Sequence, residues 1–202
     1  MWPHRAEFSI YHKRQHFIGQ YLMDSNPLIL IARTLGELFI FILLFRVILQ
    51  VTKADYYNPI SQGVARITQP VINPLQGFIP KLLGTDLSPV VLSIVLKAIV
   101  LYTIYALQSQ VIPIVSLSIY ALAGVVNTFL DIIFYAVMGS VILSWIAPDS
   151  PHPAPQLIMQ VSQPIYKFIG KALPPLGGFD LSPIVIFIAI QLIQSQLRPF
   201  LI

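Results

Sequence analysis

Three ionisable side chains, Glu37, Lys97 and Asp131, stand well inside long apolar runs. An ionised group at the centre of a bilayer costs from ~3 to more than 10 kcal/mol unless it is paired or wetted. Two kinds of chemistry fit such a set. The three can line a polar path for an ion or a proton, or the lysine can satisfy an acid in a buried pair that fixes helix register. One lysine facing two acids is sparse for a relay, which favours the register-fixing pair. Other site chemistry finds little material. Cysteine is absent, which excludes thiolate metal sites and thiol nucleophiles. His12 and His16 are spaced to share a helix face, as metal ligands can be, but no third ligand accompanies them. The plainer reading of that stretch is a solvated or interfacial tail. His152 lies among prolines with no Ser or Asp arrangement that suggests a triad, and no glycine loop is built to cradle a phosphate. The expectation is no catalytic residue, no metal and no cofactor.

The elements that must position those groups are membrane spans. Of 202 residues, 56% are hydrophobic and only 10% are charged, whereas an ordinary soluble domain is about a quarter charged. The net charge of +4 comes without a basic run dense enough for nucleic acid. Runs of about 20 apolar residues mark spans, and four are read: about Pro27 to Val51, Ser88 to Leu107, about Leu122 to Ile146, and Ser182 to about Leu197. The apolar stretch from Val111 to Ile146 is too long for one crossing, so Val111 to about Ala121 is read as a re-entrant or interfacial piece. By axial count Glu37 and Asp131 each lie ~21 Å from the matching interface and Lys97 ~13 Å. At those depths a long lysine can meet one of the acids. Arg33, one turn before Glu37, can pair with it, and Arg46 near the far end of the first span can snorkel.

The spans are duplicated. Asp-Leu-Ser-Pro occurs as Asp86, Leu87, Ser88, Pro89 and again as Asp180, Leu181, Ser182, Pro183, preceded by Gln69-Pro70 and Gln163-Pro164. A shift of 94 residues superposes both motifs and brings Pro59 onto Pro153, Pro80 onto Pro174, Gly84 onto Gly178 and Glu37 onto Asp131. In each Asp-Leu-Ser-Pro copy the serine is expected to cap the free amides, the proline needs no amide partner, and the aspartate is favourable at a positive helix end. Before each copy lies a short amphipathic helix for the membrane interface. The first carries Ile60, Val64, Ile67 and Val71 and is ended by Pro70 and Pro74; the second carries Leu157, Val161, Ile165 and Phe168. Two spans per unit make the repeats parallel rather than inverted. The motifs read first as plain helix caps. Both copies would share one membrane face, so with the Gln-Pro pairs they would also form a polar platform on which a partner could dock. Lysines and arginines lean toward placing that face in the cytoplasm.

These residues resemble the YggT family, also called YlmG-like, of bacterial membrane proteins, with members in plastids. Ser144-Trp145, Gln163-Pro164, Leu173-Pro174, Gly177-Gly178 and Asp180 to Pro183 match the family pattern in the second copy. Tyr57-Asn58-Pro59, Thr68-Gln69-Pro70, Ile79-Pro80 and Asp86 to Pro89 match it in the first. The chain departs from the pattern where a basic pair is replaced by Gln76-Gly77 and by Gly170-Lys171, so the resemblance does not extend to a strongly basic loop. It implies no enzymatic activity. It implies links to osmotic or potassium-related stress tolerance, to division and nucleoid distribution, and in plastids to assembly of a cytochrome complex.

The expected fold is thus an all-α membrane protein with four transmembrane helices in two tandem parallel repeats, each with an interfacial helix in its loop. Residues 1–26 form a polar tail, with Met23 a candidate start; 27–107 form the first repeat, 108–121 a linker or interfacial segment, and 122–202 the second repeat. The chain is expected in the bacterial inner membrane as a multi-pass protein. Its partners are the lipid bilayer and either another protein or further copies of itself, with no nucleic acid. Two functions are carried forward: a non-enzymatic scaffold or assembly factor acting through its loop face, and a small ion transporter or channel component in osmotic or potassium stress. The transporter requires a continuous polar cavity through Glu37, Lys97 and Asp131; the scaffold requires a dry interior.

Overall fold

The computed structural model describes residues 27–82, 84–171 and 180–201. The tail with His12 and His16, and the Leu173-Pro174 and Gly177-Gly178 pairs, lie outside the described residues. Six α-helices are present among the described ones: α1 Pro27–Val51, α2 Pro59–Gln76, α3 Ser88–Leu107, α4 Ile114–Ile146, α5 Pro153–Gly170 and α6 Ser182–Leu197, the last followed by a 3-10 turn over Arg198–Phe200. α1, α3, α4 and the Ser182–Phe200 stretch are long and apolar enough to cross a membrane. They are strongly hydrophobic with little sidedness, whereas α2 and α5 are amphipathic and stand in corresponding places of the two repeats. The chain is an all-α membrane protein of two tandem parallel repeats, each a span, an interfacial helix and a span.

α4 is the hub. It packs against α1 and α3 of the first repeat and against α5 and α6 of its own. The largest core cluster joins Ile40, Leu44, Ile48 and Leu49 of α1 to Val125 and Ile132 of α4 and to Leu157 and Val161 of α5. Smaller clusters join α1 to α3 through Ile29, Val100 and Ile104, and α4 to α6 through Val137, Ile186 and Ile190. α1 and α3 meet closely because Gly36 leaves room for Val100; a Cβ at that glycine would collide with the valine Cγ2.

Two local expectations are corrected. The segment from Val111 to Ala121 is no separate re-entrant or interfacial piece. Helix starts at Ile114, with the Leu117 amide bonded to the Pro113 carbonyl at 2.9 Å, and runs unbroken for 33 residues to Ile146, about 50 Å at helical rise. No residue between Ser118 and Leu122 interrupts it, and burying Leu117 and Ala121 against Leu101 of α3 holds its first turns in place. Similarly, Pro70 and Pro74 do not end α2, which continues to Gln76. Both prolines lie on its exposed side, where the carbonyls they leave unbonded can be solvated.

The two connections lie at one end of the molecule and touch. The Asn58 side chain donates from Nδ2 to the Pro153 carbonyl at 2.8 Å, and the Asp55 amide donates to Gln160 Oε1 at 2.8 Å. Asn58 also caps α2, its Oδ1 accepting from the Ile60 amide at 2.9 Å, so one residue both starts the first interfacial helix and ties it to the start of the second. Leading into α3 is a two-rung antiparallel ladder, Lys81–Leu82 with Thr85–Asp86, which the sequence did not announce. Its turn holds Gly84 at φ +83°, a conformation glycine adopts without strain.

Candidate functional site: a buried ion pair and a capped loop face

Inside the spans, Lys97 of α3 forms an ion pair with Glu37 of α1, the one salt bridge among the described residues. Lys97 is 9% exposed. Its side chain is threaded over Gly124 of α4, where a Cβ would collide with the lysine Cε. The pair therefore locks three helices. Asp131 is held separately. Its Oδ2 accepts from Asn127 Nδ2 at 2.9 Å on the same helix, and its Oδ1 from Gln194 Nε2 of α6 at 2.7 Å. Glu37 and Asp131 occupy equivalent repeat positions, but one faces a cation and the other two neutral amides. The residue equivalent to Lys97 is Gln191. Of the three acids and bases singled out in the sequence, the fold brings two together and gives the third its own partners.

Two open grooves between the helices are apolar. One of about 420 Å³ runs between α3 and α4 past Val95, Ile99, Tyr102 and Leu122. Another of about 280 Å³ lies between α1, α4 and α5 past Val51, Phe129, Pro164 and Phe168. Neither is lined by Glu37, Lys97 or Asp131.

At the loop end the first Asp-Leu-Ser-Pro copy is the centre of a polar chain. Asp86 Oδ1 accepts from the Ser88 amide at 2.9 Å, and Asp180 Oδ1 accepts from the Ser182 amide at 2.8 Å in the second copy. The aspartates, not the serines, cap these helices, by the two-residue reach that Asp favours. The serine prediction fails because Ser88 and Ser182 are turned inward and buried; the Ser88 hydroxyl meets no partner at hydrogen-bond geometry. Pro89 and Pro183 occupy the first turn as expected. Asp86 Oδ2 accepts from Gln76 Nε2 at 2.6 Å, and the Asp86 amide donates to Gln50 Oε1 at 3.2 Å. Gln76 Oε1 accepts in turn from Gln69 Nε2 at 3.2 Å. The chain ends on Arg46, which donates to Gln69 Oε1 at 2.6 Å and to Thr68 Oγ1 at 2.7 Å. Arg46 thus turns toward α2 instead of snorkelling to water. Burial alone would raise the Asp86 carboxyl, but hydrogen bonds from Ser88 and Gln76 and the positive charge of Arg46 outweigh it and hold the group below the usual carboxylate range.

Among the described residues this network belongs to the first copy only. Ser140, Gly170 and Ser144 stand where Arg46, Gln76 and Gln50 stand, and the second copy instead bonds Ser140 to the Tyr166 hydroxyl at 2.8 Å. Gln69 and Pro70 are drawn into or beside the network, while Gln163, Pro164 and Asp180 stay exposed. Sequence reasoning missed Arg46, Gln50 and Gln76 as a set. The signal lay in their pattern, since polar residues present in one copy and absent from the other mark what that copy does alone.

Fold and site define a multi-pass membrane protein built by tandem duplication, with an internal ion pair and a polar loop face. The CCB3/YggT family model matches residues 25–107 and again 119–201, and the chain belongs to that family. It is 43% identical over 172 residues to an uncharacterised protein of Pseudomonas aeruginosa, covering 84% of this chain and 87% of that one. It is 30% identical over 172 residues to "Uncharacterized protein YggT" of Escherichia coli strain K12, covering 84% and 88%. To an uncharacterised protein of Haemophilus influenzae it is 27% identical over 173 residues, covering 86% and 92%. No solved structure matches.

Proposed function

We infer that this protein is a non-enzymatic scaffold or assembly factor of the bacterial inner membrane, engaged through its loop face in the response to osmotic stress. The observation that carries this reading is the joining of the two connections by Asn58 to Pro153 and Asp55 to Gln160. That joining makes one continuous surface of two repeats. Around it stand exposed aromatics, Tyr57, Phe78 and Phe168 at 83%, 88% and 74%, of the kind that anchor recognition. The same reading is supported by the pairing of Lys97 with Glu37, which leaves that lysine no free charge for a path. A transport role draws support from one observation alone: Asp131 is an intramembrane acid facing only amides.

The two readings separate in a strain that depends on the protein for growth after osmotic upshift. A loop-face variant carrying Tyr57→Ala, Phe78→Ala and Phe168→Ala is expected to lose both the phenotype and any partner captured from native membranes. Asp131→Asn, which keeps the shape and can keep both contacts once one partner amide flips, is expected to retain both. The reverse pattern, in variants present at wild-type levels in the membrane, overturns the scaffold in favour of transport.

A further inference from the structure

Helix α3 is covered on two sides. Val100 packs with Ile29 of α1 and fills the space left by Gly36. A second face packs on α4: Leu101 clusters with Leu117 and Ala121, with Ile94 and Ala98 against them, and Lys97 lies over Gly124. The first contact joins the two spans of one repeat, and its equivalent recurs in the second repeat as α6 on α4. The second contact joins one repeat to the next, and within the chain it has no successor.

Among the described residues, the positions of both its halves recur except that of Leu117, whose counterpart lies outside them. One repeat further along, the positions of Ile94, Lys97, Ala98 and Leu101 are Ile188, Gln191, Leu192 and Ser195 of α6. All four are exposed, Ile188 at 54% and Leu192 at 61%. One repeat back, Ala121 and Gly124 become Pro27 and Leu30 of α1. These are exposed too, as are Ile31 and Thr34 beside them. Gln191 stands nine residues into its span, ~13 Å deep, where an amide without a partner is costly in lipid and a polar residue gains by bonding to another helix.

We propose that a second copy of this chain covers α6, its α1 seated on the Gln191 face as α4 is seated on α3 within one molecule. The two surfaces differ from the internal pair in a compensating way. The long Lys97 lies over the empty Gly124, whereas the shorter Gln191 lies over the bulkier Leu30, one turn from the exposed Thr34 hydroxyl that its amide can bond. Parallel repeats add a further condition that is already met. A contact copied from within the chain requires neighbours in the same membrane orientation, and every copy of one protein inserted alike has it. The interface is head-to-tail, so each molecule offers a used and an unused surface and the assembly extends beyond a pair or closes as a ring.

The chain has no cysteine, which makes the contact directly addressable. Leu30→Cys on a chain with one tag and Gln191→Cys on a chain with another are co-expressed and oxidised in native membranes. The expected product is a covalent dimer that carries both tags. Neither variant alone, expressed with both tags, yields a dimer. A self-dimer of either variant would show a two-fold contact and overturn the proposal, as would an adduct carrying only one tag. An intrachain Leu101→Cys, Leu117→Cys pair reports that the fold is intact. With that bridge formed, absence of the two-tag product also overturns it.

Discussion

At the scale of single residues, an intramembrane charge is satisfied by a partner on a neighbouring helix. Lys97 reaches Glu37 and is walled in by Gly124, so removing its charge leaves Glu37 without its cation. Truncating one partner of a buried pair costs about 3–5 kcal/mol in a protein core. Glu37 keeps a third of its side-chain surface open, which puts the expected loss nearer to about 2 kcal/mol. Lys97→Met is therefore expected to lower the midpoint of unfolding in detergent, and Glu37→Gln added to it is expected to recover most of the loss. A double variant no better than Lys97→Met would mean that the lysine acts through its aliphatic packing on α4 instead. That the three charged groups would need polar partners was legible from their depth in apolar runs. Which acid the lysine would choose was not, because rotation of one helix about its axis decides it and a helix of such weak sidedness carries little periodicity to fix that rotation.

At the scale of elements, legibility followed how strongly the sequence punctuates itself. Asn58-Pro59 and the Asp-Leu-Ser-Pro copies place three helix starts correctly because proline and short polar side chains have few alternatives there. The long apolar stretch before Ile146 carries no such mark, so length alone suggested a break that the backbone does not make. Arg46 shows the same limit: its position near a span end allowed snorkelling, and only the docking of α2 beside it revealed the partners. That docking has a pH signature. The Asp86 carboxyl is held below its ordinary value in the folded chain, so its contribution is fully present above the unfolded value of about 3.9 and is lost as pH falls through the folded one. Melting curves in detergent are expected to be flat in this respect near neutrality and to show an extra loss of stability below about pH 4. Asp86→Asn should abolish that extra loss. An unchanged acid limb in Asp86→Asn would assign the loss to another carboxylate.

For the whole molecule, the duplication sets what the sequence could reveal and what it could hide. A shift of 94 residues exposes the repeat plainly, yet the two copies are not used alike. The first is braced by the Arg46–Gln69–Gln76–Asp86 chain and packed on α4, while α6 of the second is left open along one face. Repeat arithmetic predicts elements well and asymmetry badly, because asymmetry arises from which neighbour each copy happens to have. The strongest global consequence is topological. If both units cross in the same sense, Gln76 at the end of α2 and Lys171 just after α5 must face one compartment, and the contact of Asn58 with Pro153 requires it as well. Single cysteines placed at Gln76 and Lys171 in this cysteine-free chain are expected to react with a membrane-impermeant maleimide from the same side, in intact cells or in inverted vesicles but not one in each. Labelling from opposite sides would break the parallel repeat, and neither the shared loop face nor the head-to-tail contact could then exist.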